Sequence, residues 1–197
     1  MMKLINTPQK LKIERREWYE RLQYDISPLF QPAPYDAQIA HRLTALDDSP
    51  LAVQLFASVA ERLSDYAYWF FLGVCWVQYT GWSKLELWKE LFSSNRPHRK
   101  SCLMKPTELR LFKKLPKVVH CYRVHRPGET DWISYTLDFD TALKFAAIRG
   151  VSTIHEYRIP RKRLCCLFLR RHEYEVLCIN KKDAILHKVI EKEPLHA

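Results

Sequence analysis

Hydrophobic and polar positions change their rhythm once along this chain. In the first half they recur every three or four residues, the spacing of one face of an α-helix. Residues 10–23 are charged and helix-favouring, with Leu11, Trp18 and Leu22 placed to form one apolar stripe. Pro28, Pro32 and Pro34 then predict an extended connector over 26–35, because a proline holds the residue before it in extended backbone. A helix is expected over 35–46, with Ile39, Leu43 and Leu46 on one side and Asp47-Asp48 at its end. Ser49 and Pro50 supply an N-cap and a first-turn proline for the next helix, which should run to about residue 63. Residues 66–79 are apolar nearly all round, the pattern of a central buried helix. Ser83 and Glu86 read as a capping box opening a helix to about residue 92.

A polar, basic stretch follows over 93–105 (Asn95, Arg96, His98, Arg99, Lys100) and predicts an exposed connector. Residues 106–114 should form a short helix closed by Leu115-Pro116. From residue 118 onward the rhythm becomes that of short strands, over 118–123, 133–136, 151–158, 164–169, 174–179 and 184–190. One helix, near 141–148, interrupts them. The fold class is therefore α+β, with a helical region over 1–104 and a strand-rich unit over 105–197.

Composition narrows this picture. A 197-residue chain with 47% apolar and 13% aromatic residues can bury a substantial core. Its formal net charge of +10 favours an anionic partner: a nucleic acid, a phosphorylated cofactor or an acidic protein. The longest apolar run, 66–77, is too short for a membrane span, which needs about 20 residues. The amino-terminal residues lack the apolar core of a secretion signal. Cysteines at 75, 102, 121, 165, 166 and 178 show no metal-ligand spacing and sit mostly in apolar runs. Reduced cysteines packed as small hydrophobes are expected, without disulfides or structural zinc, as suits the cytoplasm. Trp69, Trp76, Trp82 and Trp88 could serve as a stacking platform, although core packing is the commoner use of such residues.

Three features of the second half carry chemistry. Side chains alternate along a strand, so Glu173 and Glu175 of R-H-E-Y-E-V-L should share one face of an edge. Carboxylates that close perturb each other's protonation, as at acid–base sites, but E-x-E is also ordinary on a solvent-facing strand. Ser134 and Thr136 of S-Y-T share a face in the same way. Arg123 ends the apolar run V-V-H-C-Y-R, where its guanidinium needs either an acidic neighbour or an anionic ligand.

Taken in order, C-Y-R, S-Y-T and E-Y-E resemble the ADP-ribosyltransferase fold in its arginine–serine–glutamate class, where S-T-S is the usual middle motif. The segment A-L-K-F-A-A, with Phe145, resembles the family's A-x-x-F-A, and the arrangement is similar to small phage- and defence-associated members. The resemblance covers about residues 105–190. It implies a split β-sandwich behind the helical region, NAD as substrate, no metal, and transfer of ADP-ribose to a macromolecule. Arg123 would hold the NAD phosphates and ribose, and Ser134 would orient Glu175. Glu175 would bind the ribose 2′-hydroxyl and stabilise the oxocarbenium-like transition state, while Glu173 would orient or deprotonate the acceptor. Tyr122, Thr136 and Phe145 join the NAD-binding set, with Tyr135 and Trp132 as further stacking candidates. His125 and His172 flank these residues, and neither is assigned a proton-transfer role.

The acceptor is read from two signals that differ. A glutamate at 173 is what arginine-modifying relatives use, which implies protein arginine. The net charge and the basic runs 96–105, 113–117 and 158–163 favour nucleic acid, RNA first. Hydrolysis of free NAD is a third outcome, and a nucleic-acid-binding module without catalysis is the reading from another class. The helical region carries no motif of its own; it is expected to shape the acceptor cleft or to dock an inhibitory antitoxin.

Overall fold

The computed structural model describes residues 33–46, 49–79 and 84–191. The expected helix over 10–23, most of the connector over 26–35, Asp47-Asp48, Trp82 and the Ser83 cap lie outside them. Seven α-helices are described: α1 (Pro34–Leu46), α2 (Pro50–Val59), α3 (Asp65–Gln78), α4 (Leu85–Phe92), α5 (Arg99–Leu103), α6 (Pro106–Lys114) and α7 (Phe139–Arg149). The strands are β1 (Val118–Arg123), β2 (Ser134–Thr136), β3 (Thr153–Pro160), β4 (Cys166–Phe168), β5 (Glu175–Leu177) and β6 (Ile185–Glu191).

Side-chain caps set the helix starts. Ser49 Oγ accepts from Leu51 N–H, and Pro50 occupies the first turn where no N–H is needed. Ser64 caps α3 through Ala67 N–H, while its own hydroxyl donates to Asp36 Oδ2 at 2.6 Å, which fastens α1 to α3. The apolar α3 is buried along most of its length. At Gly73 it approaches α5 and β4 so closely that a Cβ would lie 3.0 Å from Leu103 Cδ1 and 3.1 Å from Leu103 O.

The basic stretch over 93–105 is not the exposed connector its polarity predicts. It contains α5, with Cys102, Leu103 and Met104 buried against the helical core. Glu108 follows in α6, fully buried, and holds this region to the sheet. Its carboxylate accepts from Lys105 N–H, Leu169 N–H and both ends of the Arg170 guanidinium at 2.8–3.1 Å. One apolar cluster runs through α1–α6 and the sheet, from Ile39 to Cys178. All six cysteines are buried and free, packed as small hydrophobes.

The sheet has the order β4-β5-β2-β1-β3-β6, with every neighbouring pair antiparallel. Its joints are unequal. β1 pairs with β3 over six residues, and β5 pairs fully with β2 and β4, whereas β1 and β2 share only Tyr122↔Thr136. Two three-stranded halves thus meet at one residue pair and part beyond it. Helix α7, capped by Asp138 and ended at the left-handed Gly150, packs over β1 and β3 through Ala142 and Ala146. Among the described residues no helix is long and apolar enough to cross a membrane.

Candidate functional site

The parting of β1 and β2 opens a cavity of about 260 Å³ lined by Tyr122, Arg123, Ser134, Thr136, Phe145, Glu173 and Glu175. Every site residue read from the sequence therefore faces one space. A second lobe of about 200 Å³ shares Tyr79, Arg123, Arg126, Ser134, Arg171 and Glu175 with it and reaches Trp76 and Trp132. Together the lobes exceed the roughly 300 Å³ at which small-molecule sites begin.

Ser134 joins the two halves of the cleft. Its hydroxyl donates to Glu175 Oε1 at 2.5 Å, and its carbonyl accepts from Arg123 Nη1 at 2.6 Å. Glu175 is 7% exposed, and its second oxygen accepts from the indole Nε1–H of Trp76 at 3.0 Å. Burial raises the Glu175 carboxyl above its ordinary value; the Ser134 and Trp76 donors pull it back, and neighbouring Glu173 pushes it further up.

Arg123 has an acidic partner that lies in the loop after β1. Its Nε and Nη2 donate to the two oxygens of Glu129 at 3.0 and 2.5 Å. Burial works to raise the Glu129 carboxyl, but hydrogen bonds from His125 and Arg123 outweigh it and hold it down at about 2. His125 stands between Glu129 Oε2 at 2.9 Å and the Tyr157 hydroxyl at 2.8 Å, which makes it a brace for this pair. A guanidinium has five N–H groups, so the three bonds named leave two for a ligand.

The E-Y-E segment departs from its sequence reading. Only Glu175 belongs to β5, and β5 lies between β4 and β2 rather than at an edge. Glu173 precedes the strand, and His172 and Tyr174 on either side of it have φ of 58° and 48°. Left-handed backbone costs a non-glycine residue energy and persists only where neighbours enforce it. Here Thr136 Oγ1 donates to Glu173 O at 2.5 Å and Leu137 N–H to Tyr174 O at 3.0 Å. Thr136 is thus a backbone clamp that also lines the cavity. Glu173 reaches the cavity by this kink and accepts from Arg171 Nη2 at 3.3 Å.

Sequence reasoning missed several lining residues. Arg126, Arg149 and Arg171 join Arg123, setting four guanidiniums against two carboxylates. Arg149 lies over the Phe145 ring at 5.1 Å and donates to Val124 O. Burial lowers its pKa first, and the proximity of Arg123 and Arg126 adds to the effect. Trp76, read as core, is half-buried and polar in its use; Trp69 and Trp88 are buried in the core as expected. Tyr122 meets Phe139 edge-on at 5.2 Å, and buried Tyr135 accepts from Trp132 Nε1 at 2.8 Å, so both pack as well as line the site. Among the described residues no group of three His, Cys, Asp or Glu side chains is placed to hold a metal ion. The chain matches no protein-family model, no curated protein and no solved structure.

Proposed function

We propose that this chain is an NAD-dependent mono-ADP-ribosyltransferase, a cytoplasmic toxin or defence effector with an ADP-ribosyltransferase-like split β-sandwich behind a helical region. The observation that carries this reading is Ser134, which bonds at once to Arg123 and to Glu175 inside one cleft. The joint at Tyr122↔Thr136, where the two half-sheets part, supports the split sandwich.

In this reading the arginine cluster supplies the charge that a pyrophosphate needs, with the two uncommitted N–H groups of Arg123 and the guanidiniums of Arg126 and Arg149 as its donors. Glu175 accepts from the 2′-hydroxyl of the nicotinamide ribose. The bond from ribose C1′ to the nicotinamide nitrogen breaks, and its electron pair leaves with the now neutral nicotinamide. Ionised Glu175 stabilises the positive charge that develops on the ribose. The acceptor nitrogen then attacks C1′ and gives its proton to Glu173.

The acceptor favoured is a nucleic acid, RNA or DNA, because cations dominate both the cleft and the chain as a whole. One observation favours protein arginine instead: Glu173 already receives a guanidinium, that of Arg171. Incubation with labelled NAD and a total lysate, followed by ribonuclease, deoxyribonuclease or protease, separates these outcomes. Label should enter a macromolecule and vanish with Glu175→Gln at unchanged circular dichroism. Release of no nicotinamide, beside tight nucleic-acid binding, would select a non-catalytic binding module.

A further inference from the structure

A third cavity, a groove of about 770 Å³, belongs to no part of this chemistry. Its charged lining comes from Arg99 and Lys100 of α5, Lys113 of α6 and Arg161, which follows β3. These residues come one or two apiece from the three basic runs that are far apart in sequence. Val118 pairs with Pro160 and Arg123 with His155, so Arg161 lies beside the start of β1 while the NAD cleft lies at its other end. At about 3.3 Å per residue, the two sites are roughly 17 Å apart.

The lining includes no carboxylate. Arg96 also borders the groove, but it is committed elsewhere, pairing with Asp65 and donating to the carbonyls of Ala60, Glu61 and Leu63. The other four cations make no ion pair with a described carboxylate. Backbone carbonyls hold two of them in place: Arg99 donates to Phe92 O at 3.2 Å, and Arg161 to Lys113 O at 2.5 Å. Lys100 Nζ sits 4.7 Å from the centre of the Phe112 ring. Its pKa is lowered by burial and then by Arg99 and Arg161, as expected of positive charges gathered without a counterion. Ser93, Ser94 and Asn95 line the same groove and add neutral donors of the kind that contact phosphate.

From this convergence we infer that the groove docks the phosphodiester backbone of a single-stranded nucleic acid. Oriented cations with hydroxyl and amide donors match a row of phosphates, and the concave shape accepts a flexible strand rather than a duplex, which is read by a protruding element. No exposed aromatic ring lines it, so binding is to the backbone and tolerant of sequence. The inference deepens the acceptor side of the function proposed above and rests on it for its purpose, while the binding itself needs no NAD. A strand long enough to reach both sites is held at the groove and offered to the cleft.

The test is fluorescence anisotropy of the full chain with labelled oligouridine and oligothymidine of about 20 nucleotides, without NAD. Wild type should bind. Arg99→Glu/Lys113→Glu should weaken binding at least about tenfold and make the slope of log K against log salt shallower by about two. Lys144→Glu/Lys188→Glu, the same charge change away from the groove, should stay within about twofold. The inference is overturned by absent binding, by equal losses in the two variants, or by equally tight binding of polyglutamate. Uridine and thymidine strands bound alike would mean that backbone charge suffices, and tighter uridine binding would add a 2′-hydroxyl contact; either supports the groove. A second readout needs no variant: oligouridine should shield Lys100 and Lys113 of wild type from acylation and leave Lys188 reactive, and shielding elsewhere alone would overturn it. Label transfer scored separately keeps the two readings apart, since transfer without docking defeats only the groove and docking without transfer defeats only the enzyme.

Discussion

The indole Nε1–H of Trp76 in α3 reaches Oε2 of Glu175 in β5 at 3.0 Å, across 99 positions of sequence. With Ser134 on Oε1, two neutral donors hold the carboxylate in one orientation. The helical half therefore contributes a side chain to the chemistry of the sheet.

Trp76→Phe removes a donor that lowers the Glu175 pKa, so that pKa should rise. The acid limb of the label-transfer pH profile should move to higher pH, and transfer near neutrality should fall about tenfold or more, as for loss of a hydrogen bond to a charged group. An unmoved limb would reduce Trp76 to packing. The same carboxyl predicts a stability trend. Its folded pKa is raised, so its contribution is fully present below the unfolded value of about 4.3 and is lost as pH rises through the folded value. The Tm of wild type relative to Glu175→Gln should accordingly fall from acid towards neutral pH.

Glu129 has the opposite sign. Its folded pKa of about 2 lies below the unfolded value, so its contribution is present above about pH 4.3 and is lost as pH falls through 2. Glu129→Gln should destabilise the fold at pH 7 by about 2–3 kcal/mol, the scale of charged hydrogen bonds to Arg123 and His125. Urea denaturation at pH 7 and at lower pH should show the deficit shrinking with acid. A constant deficit would contradict the pairing.

Glu108 tests the joint between helices and sheet. Glu108→Ala leaves Arg170 near a buried position without its partner and frees the N–H groups of Lys105 and Leu169. Removing one partner of a buried pair costs about 3–5 kcal/mol, which should lower Tm by about 10 °C in calorimetry. Arg123→Lys, by contrast, retains charge but loses the bidentate grip on Glu129, and should reduce NAD affinity more than Tm.

Gly73→Ala sets helix propensity against space. Alanine favours a helix over glycine by about 1 kcal/mol, but the new methyl would press on the Leu103 carbonyl, which belongs to backbone and cannot rotate away. Overpacking of about 1–3 kcal/mol should win, giving a lower Tm. A raised Tm would mean that α3 and α5 separate freely.

What the sequence determined by itself was local: the α+β class, the described helices up to α4, α6 and the strands, since periodicity and caps act within a few residues. Residues 106–114 and 118–123 carry their own boundaries, a proline at the helix start and an uninterrupted apolar run. The motif residues Arg123, Ser134, Glu173 and Glu175 were legible as well. Their joint use was not, because it depends on contacts between distant segments. Polarity hid α5, whose Cys102, Leu103 and Met104 find burial only against α3 and the sheet. Apolar neighbours hid Trp76, whose N–H acquires its role only when β5 lies beside α3. The left-handed turn at Tyr174 is enforced by Thr136 and Leu137, and the pairing of Arg123 with Glu129 by the fold of a loop. Tertiary structure alone decided those, because a side chain's hydrogen-bond partner is a fact about space and not about spacing.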